Sequence, residues 1–389
     1  MTAAARPLVG ILVLGAAGSP PFADRTFYAR LTTWGARLGL TVCVLPAPLA
    51  AAAAGGRVQG YSLRPDTGEW EEGSFPLPDL VYDRTFPSGP GERRLRRQAL
   101  LALGRSGRPA ALLGRPLPGK WEVYRALAAE PELARYRTPT VRYRSGRQLL
   151  RLLAHRGGAF LKPASGTHGL GALAIRREAD GKYAADGRSL EGDPLALRGL
   201  TADALVRFAA GWTGARTYLL QPRLDLKSRC GDAYDVRSLV QKDDTGGWTV
   251  TGLAVRRAPA GSVTSNLHGG GSAEEAEPFL AAEFGVSRAE ELTAAIRRLS
   301  LSLAPALERS FGRLAELGLD FGIERSGRIW LLEANSKPGR AAFRRIGGGT
   351  ARARAVRSPM AYASYLLRSR LGRAAQGTGF RDNSRRVLP

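Results

Sequence analysis

The segment LGLDFGIERSGRIWLLEANSKPGR, residues 317–340, constrains this chain more than any other part of its sequence. Its apolar pattern predicts two β-strands joined by a turn at Arg325–Gly327. Because side chains alternate between the faces of a strand, Glu333 and Asn335 share one face, and Asp320 can lie across from them. Two carboxylates and an amide oxygen suit Mg²⁺, which keeps waters and bridges substrate phosphates. The alternative is a solvated polar edge of a hairpin.

Lysine is rare in this chain, which has 58 basic residues but only six lysines. Three of the six, Lys120, Lys162 and Lys337, lie in motif-like segments. Lysine is a compact charge on a flexible stem, and it can reach a phosphate where the guanidinium fork of arginine would not fit. The distribution therefore indicates phosphate binding, and the alternative is chance retention of three lysines.

The segment FLKPASGTHGLG, residues 160–171, has the pattern of a strand followed by a glycine-rich loop that leads into a second strand. Its glycines let backbone N–H groups approach anionic oxygens closely, and Ser165 and Thr167 add hydroxyl donors. A strand rather than a helix follows the glycines, so neither a P-loop nor a dinucleotide fingerprint fits. The alternative is an ordinary hairpin turn.

Taken together, these segments resemble the ATP-grasp superfamily and, within it, the YheC/YheD group described as endospore coat-associated. The blocks that carry the likeness are LVYDR, GKWEVY, TPT, FLKPASGTHGLG, LLQPRLDL, YDVRSLVQKDDTGGWTVTGLAVRR, GSVTSNLHGGG and LLEANSKPGR. They cover most of the chain and are specific jointly rather than singly. The resemblance implies an α/β (α+β) protein with an ATP-grasp fold, in which two α+β subdomains clamp the nucleotide after a Rossmann-like N-terminal α/β domain.

The expected domains are an N-terminal α/β, pre-ATP-grasp-like domain over residues 1–115 and an ATP-grasp domain over 116–372. The latter would contain a lid subdomain at about 138–222. Residues 373–389 would form a basic flexible tail.

Two helices are predicted in the C-terminal half. Apolar residues at helical spacing predict a helix from about Ala289 to Leu317 that bends or breaks at Pro305. A final helix is predicted to begin at Ser358-Pro359, because a serine cap followed by proline is typical of a first turn.

The resemblance implies a role for each candidate site residue. The residues it assigns to ATP are Lys120 and Lys162 on the phosphates, Ser165, Gly166, Thr167 and Gly169 in the lid, and Gln221, Pro222, Arg223 and Leu224 in the hinge that reads adenine. Those it assigns to one or two Mg²⁺ ions are Asp320, Glu333 and Asn335. Those it assigns to the transferred phosphoryl group are Arg237, Arg256 and Asn266. Some superfamily ligases carry arginine where this chain has Gly318, so the arginine at the acyl phosphate stays open.

The implied activity is that of an ATP- and Mg²⁺-dependent ligase that activates a carboxylate as an acyl phosphate for attack by an amine. Such a reaction needs no side-chain nucleophile. The resemblance adds a place in spore coat or envelope formation, and neither substrate is named by the sequence. The alternative is a nucleotide-binding structural or assembly protein of the spore coat without turnover.

Charge is the remaining feature of the sequence, since the formal net charge is +24. Residues 338–389 contain twelve arginines and one acid, Asp382. This segment is interpreted either as a docking surface for a polyanionic partner or as a solvated basic tail. Nucleic acid is disfavoured as a partner, because the segment contains no recognisable nucleic-acid-reading motif.

The sequence predicts no membrane span, because no stretch of 18 apolar residues occurs. Two cysteines, Cys43 and Cys230, do not indicate a disulfide framework. The expected location is the cytoplasm, and the resemblance adds association with the spore.

Overall fold

The structure is a computed structural model that describes residues 6–105, 107–166, 169–258, 271–346 and 349–375, with side chains described as far as Ser369. The chain forms two compact units. The first comprises the residues up to Arg115, the segment Gln241–Gly247 and the chain from Ala353. The second comprises Pro116–Val240 and Trp248–Arg352.

The first unit is built on one sheet, the N-terminal sheet. Its strands and helices are β1 (Leu8–Val13), α1 (Arg25–Arg37), β2 (Thr41–Pro46), α2 (Ala47–Ala51), β3 (Arg57–Leu63), β4 (Trp70–Pro76), β5 (Leu80–Asp83) and α3 (Pro90–Ala102). The strand order is β4-β3-β2-β1-β5. Strand β1 pairs in parallel with β2 and β5, and every residue of β1 is buried. Its apolar run is typical of a parallel strand covered on both faces.

The second unit contains two sheets. The six-stranded sheet, of order β10-β9-β8-β7-β11-β6, and its helices run from residue 141 to 222. Helices α4 (Lys120–Ala128) and α5 (Pro131–Ala134) precede this sheet. Its own elements are β6 (Val141–Arg142), α6 (Gly146–Arg156), β7 (Gly158–Pro163), β8 (Leu173–Arg177), β9 (Tyr183–Arg188), β10 (Pro194–Leu200), α7 (Ala202–Thr213) and β11 (Tyr218–Pro222). Leucines of α6 and α7, such as Leu149 and Leu205, pack on one face of this sheet.

The C-terminal sheet has the order β14-β13-β12-β15-β16. The elements of this part are β12 (Tyr234–Lys242), β13 (Trp248–Arg257), β14 (Ser272–Glu275), α8 (Ala276–Phe284), α9 (Val286–Phe311), β15 (Glu316–Ile323), β16 (Ile329–Asn335), α10 (Ala341–Arg345) and α11 (Gly349–Ala375). Helices α8 and α9 bury apolar residues such as Leu280 and Ile296 against one face of the sheet, together with Leu319 and Phe321. None of the helices in the described ranges is both long enough and apolar enough to cross a bilayer.

Helix α9 ends earlier than predicted, and of the predicted bend or break at Pro305 the break does not occur. It ends at Phe311, where Gly312 adopts a positive φ of 78°, and the residues from Glu316 belong to strand β15. It also continues through Pro305. The carbonyl that loses its helical partner there belongs to Leu301, which lies on an exposed part of the helix where water can bond that carbonyl.

Helix α11 begins at Gly349, so the prediction that it starts at Ser358-Pro359 is wrong. Proline at position 359 cannot donate to the carbonyl of Ala355 four residues earlier. That carbonyl accepts a hydrogen bond from Nε2 of Gln241 instead, at 3.2 Å. The helix therefore keeps this buried carbonyl satisfied through a side chain that is distant in sequence.

Candidate functional site

The two strands predicted at residues 317–340 form an antiparallel hairpin. Asp320 pairs with Glu333, and Gly318 pairs with Asn335. Directly paired residues present their side chains on the same face, so the three oxygen-bearing side chains converge as the alternation predicted. Leu319 and Phe321 point the other way, into the hydrophobic core.

A β-bulge interrupts this hairpin beside Asp320. The register shifts between Asp320 and Phe321, whose partners are Glu333 and Leu331, so Leu332 has no partner on β15. The carbonyl oxygen of Leu332 accepts a hydrogen bond from Nζ of Lys162 at 3.2 Å. Bulges commonly re-aim groups next to active sites. Here the bulge offers a carbonyl that ties strand β7 of the six-stranded sheet to the hairpin of the C-terminal sheet.

Lys120 approaches the same hairpin from the start of helix α4. Its Nζ lies 3.5 Å from Oε1 of Glu333 and donates to the carbonyl oxygen of Gly166 at 2.6 Å. Its backbone N–H donates to the carbonyl of Ala164 at 3.2 Å. The structure thus brings together two of the lysines singled out by their rarity, although they lie 42 positions apart in the sequence.

Asp320 belongs to a buried network of two arginines, Arg237 and Arg256, and two aspartates, Asp235 and Asp320 itself. Nε of Arg237 donates to Asp320, and its NH2 donates to Oδ2 of Asp320 at 3.0 Å. Arg256 binds the same Oδ2 at 2.9 Å and forms a two-pronged pair with Asp235, at 2.7 and 2.6 Å. All four residues are buried. Asp235 was missed from sequence, because an acid on a strand carries no signal until its arginine partner is known.

The pKa of Asp320 reflects this network. Burial acts to raise it, but the charges of Arg237 and Arg256 outweigh burial and hold the pKa below its ordinary value. Asp320 is therefore a carboxylate at neutral pH, and its charge is compensated inside the protein.

Arg237 occupies the space beside Gly318. A Cβ atom at position 318 would lie 2.9 Å from Cβ of Pro338, 3.2 Å from NH1 of Arg237 and 3.4 Å from its guanidinium carbon. A larger residue at 318 would therefore press on this guanidinium. The arginine nearest to Asp320 thus comes from the neighbouring strand β12, and the sequence position two residues before Asp320 has to stay small.

The alternation of strands β7 and β11 defines the face that looks toward the hairpin. Leu161, Tyr218 and Leu220 point into the core beneath α6 and α7. Phe160 and Lys162 occupy the alternate positions of β7, where they pair with Gln221 and Leu219 of β11. Phe160 and Leu219 were missed from sequence, although a period-two count from Lys162 could have found them. Phe160 is half-buried and gives this face an apolar group next to the lysine, whereas Leu219 is buried.

The residues of the predicted hinge follow directly after this face. Gln221 is buried, and its Nε2 donates to Oγ1 of Thr140 at 2.7 Å. This hydrogen bond fixes the side chain of Gln221. The predicted hinge, Gln221–Leu224, would therefore contact adenine through backbone groups. Arg223 is exposed and its backbone N–H already donates to the carbonyl of Gly158 at 3.2 Å.

The glycine-rich loop is anchored at both ends. Ala164 donates its N–H to Thr217 at 2.9 Å, and Gly171 donates to Arg188 at 2.9 Å. Nε1 of Trp212 also donates to the carbonyl of Gly171 at 3.0 Å. Gly171 has φ +73°, and a Cβ there would lie 2.8 Å from the hydroxyl of Tyr218. Glycine is thus required at the second anchor.

Between these anchors the structure describes Ser165 and Gly166, which are exposed, and Gly169, which is half-buried. Two residues predicted for the site, Thr167 in this loop and Asn266, lie outside the described residues.

The hairpin residues fit a Mg²⁺ ion bound together with phosphates. Oδ1 of Asp320 receives one arginine donor, so lone-pair capacity remains, whereas Oδ2 receives two. The side chain of Glu333 is 30% exposed, and Asn335 is half-buried. In the described part of the chain, no cluster of three or more His, Cys, Asp or Glu side chains could hold a metal. Few protein ligands are typical of Mg²⁺, which relies on waters and substrate phosphates for the remainder.

The charges of these site residues nearly balance, with one positive charge in excess. Lys120, Lys162, Arg237 and Arg256 supply four positive charges, whereas Asp235, Asp320 and Glu333 supply three negative charges. Burial lowers the pKa of Lys162 to about 8, although the negative charge of Glu333 acts in the opposite direction. A phosphate that approaches Lys162 would favour its charged form.

Comparison with known proteins identifies the family. A family model described as YheC/D like ATP-grasp matches residues 110–366. The chain belongs to the YheC/D-like ATP-grasp family. The ATP-grasp fold expected from the sequence motifs is thereby confirmed, and two α+β subdomains correspond to the two sheets of the second unit.

Two relatives of this YheC/D-like protein come from Bacillus subtilis (strain 168). The endospore coat-associated protein YheD is 29% identical over 367 residues, which span 92% of this chain and 79% of the relative. The endospore coat-associated protein YheC is 26% identical over 305 residues, which span 75% of this chain and 78% of the relative. Among solved structures, D-cycloserine synthetase DcsG matches with a TM-score of 0.53 and 15% identity, over 92% of this chain and 99% of that chain. The likeness to DcsG concerns the fold alone.

Proposed function

We propose that this protein is an ATP- and Mg²⁺-dependent ligase that activates a carboxylate as an acyl phosphate for attack by an amine. The proposal rests on the contacts of Lys120 and Lys162 with the hairpin that carries Asp320 and Glu333, because two cationic side chains lie near oxygen groups that could bind a metal. The family membership adds that such a site belongs to an ATP-grasp fold.

In the proposed reaction, Lys120 and Lys162 bind the triphosphate, and the half-buried Phe160 offers an apolar group against which adenine lies. Arg237 and Arg256 stabilise the negative charge that develops on the transferred phosphoryl group. Asp235 keeps Arg256 oriented. Mg²⁺, held by Glu333, Asn335 and Oδ1 of Asp320, would neutralise phosphate oxygens.

The biological setting of the proposal comes from the relatives. YheC and YheD are named as endospore coat-associated proteins. We propose that this protein also acts in spore coat or envelope formation, in the cytoplasm of the cell that builds the spore. The carboxylate and the amine are therefore expected among envelope or coat components.

The decisive experiment measures ADP release over panels of amino acids and peptides as acceptors, with mass spectrometry of the products. Titration calorimetry with ATP and Mg²⁺ runs in parallel. ADP release that depends on one carboxylate and one amine, with a ligated product, supports the ligase. Tight ATP binding without ADP release for any pair supports the nucleotide-binding assembly protein instead.

The loop between the two anchors should behave as a lid. On addition of a non-hydrolysable ATP analogue, we expect backbone amide exchange at residues 165–170 to slow by about tenfold or more, because lids close over nucleotides. The amides of Ala164 and Gly171 are already bonded and should change little. The turn at Gly181 between β8 and β9 is an internal control. Equal exchange with and without the analogue would make the loop an ordinary hairpin turn.

Binding of ATP without metal should depend on pH through Lys162. With the metal chelated, raising the pH from 7.5 to 9 should weaken ATP binding by roughly fivefold to tenfold, because a lysine of pKa about 8 loses its charge over this range. Titration calorimetry at several pH values measures the effect. Lys162→Arg stays charged and should remove the pH dependence. If ATP affinity declines with pH to a similar extent in Lys162→Arg, the pH dependence belongs to another group.

The C-terminal arginines are proposed to attract a polyanionic partner. Arg340 and Arg357 are paired with Glu316 and Asp244, whereas Arg344, Arg352 and Arg354 are exposed. Replacing these three exposed arginines by glutamine should reduce salt-sensitive retention on an anionic resin, since exposed charges are screened beyond about 8 Å at physiological ionic strength.

A chain that ends at Gly372 lacks four further arginines and should lose part of the same retention. ATP affinity is the control in both variants and should not change. If neither variant alters retention or its salt dependence, the C-terminal charge is only a solvated surface.

A further inference from the structure

A second cationic surface lies on helix α6, outside the nucleotide site. Between Leu133 and Arg177 the chain has ten basic residues and no acidic residue. Arg144, Arg147 and Arg151 are exposed at the start and along the outer face of α6. None of the three has a described acidic partner. We call these three residues the α6 ridge.

The arginines of the α6 ridge destabilise the helix on which they lie. The first turn of α6 contains Arg147 and no acid, although the positive end of the helix dipole favours an acid there. Arg147 and Arg151 are four positions apart, a spacing at which like charges repel. The neighbouring helix α7 has the ordinary arrangement, with Asp203 in its first turn. The fold of α6 therefore does not account for these arginines, and a partner with opposite charge would.

The ridge faces away from the nucleotide site. Leu149 and Leu153 of α6 pack on the core side of the six-stranded sheet together with Leu161. Lys162, the next residue of β7, points to the opposite face and reaches Leu332. A partner on the ridge would therefore bind without displacing ATP.

The spacing of the ridge indicates the chemistry of the partner. Positions 147 and 151 are separated by about 6 Å along the helix axis. Alternate residues of an extended peptide are about 6.6–6.8 Å apart on one side of the chain. The guanidinium fork pairs well with carboxylates. Helix α6 contains no phenylalanine, tyrosine or tryptophan on which nucleic-acid bases could stack.

We infer that the α6 ridge is a docking surface for an acidic polypeptide segment in extended conformation, with acidic side chains at alternate positions. This inference is independent of the proposed ligase reaction, because it rests on a different face of the sheet. It adds a site by which an acidic protein could be recruited while the nucleotide site stays open.

Fluorescence anisotropy with a labelled peptide of alternating glutamate and serine tests the inference. Arg147→Gln/Arg151→Gln should weaken binding by about tenfold or more at low salt, because two charge-assisted contacts are lost. The matched control, Arg93→Gln/Arg94→Gln on α3, removes the same charge from exposed positions and should change affinity less than about twofold. Thermal melting and ATP affinity verify that both variants are folded.

Two results would overturn the inference. Equal losses in the two double variants would show that the peptide responds only to net charge. Tighter binding of a labelled oligothymidylate, lost selectively with Arg147→Gln/Arg151→Gln, would show that the ridge serves nucleic acid. A selective loss of peptide binding in the α6 variant, with weak oligothymidylate binding, supports the acidic peptide.

Discussion

Glu333→Gln should abolish the Mg²⁺ dependence of nucleotide binding and lower any Mg²⁺-dependent turnover by roughly 100-fold or more. The substitution keeps the shape of the side chain but removes one of the two carboxylates that face each other across the hairpin and are proposed to bind the metal. The side chain of Glu333 is 30% exposed and its contact with Lys120 is long, so the fold should persist. Titration calorimetry with and without Mg²⁺ measures the effect.

The matched control for this prediction is Glu324→Gln, which removes an acid from the turn end of the same hairpin. It should leave Mg²⁺-dependent binding unchanged. With the metal chelated, Glu333→Gln should bind ATP at least as well as the unmodified protein, because Lys120 loses a competing negative charge. Unaltered affinity and activity in Glu333→Gln, both with and without Mg²⁺, would remove Glu333 from the metal site.

Asp320→Ala should lower the free energy of unfolding by about 3–5 kcal/mol, because it leaves two buried guanidinium groups without their shared carboxylate. Arg256 retains Asp235, whereas Arg237 loses both of its described hydrogen bonds. Chemical denaturation at neutral pH measures the loss. This substitution should thus impair folding as well as metal binding, in contrast to Glu333→Gln.

Asp232→Ala is the control for the buried network. Nε and NH2 of Arg257 both donate to Oδ2 of Asp232, but both side chains are partly exposed, so the expected loss is about 1 kcal/mol or less. A similar loss in the free energy of unfolding in both variants would show that burial does not increase the contribution of the Asp320 network to stability.

The network should also give stability a pH dependence. Since the pKa of Asp320 is lowered in the folded protein, its contribution is present above the unfolded pKa of about 4 and is lost as the pH falls toward the folded value. Between pH 5 and pH 3, the free energy of unfolding should therefore fall more for the unmodified protein than for Asp320→Ala.

Several elements of the site could be predicted because their signals are local. The hairpin at residues 317–340 follows from alternation and a turn, which need no knowledge of the remaining chain. Lys162 and the glycines of 160–171 lie within one short segment, and the family resemblance connected them to Lys120. The confirmed family and fold therefore rest on motifs that are each contiguous in sequence.

The helices show where local signals were insufficient. Pro359 looks like a start signal, yet α11 runs through it because the side chain of Gln241 satisfies the carbonyl that proline leaves unpaired. Pro305 looks like a break in α9, yet the freed carbonyl of Leu301 lies where water can reach it. In both cases, whether the helix continues through proline depends on the groups around the freed carbonyl. The spacing of residues in the sequence does not reveal those groups.

By itself, the sequence determined that Glu333 and Asn335 share one face and that a glycine loop follows Lys162, because strand alternation and glycine's freedom are local properties. Only the tertiary structure decided that Arg237 fills the space beside Gly318 and that Asp235 holds Arg256. These partners come from different strands. The family resemblance singled out Arg237 and Arg256 among 52 arginines, but it paired neither of them with a carboxylate. Burial makes the choice, since a guanidinium taken out of water is stable only beside a carboxylate that the fold brings to it.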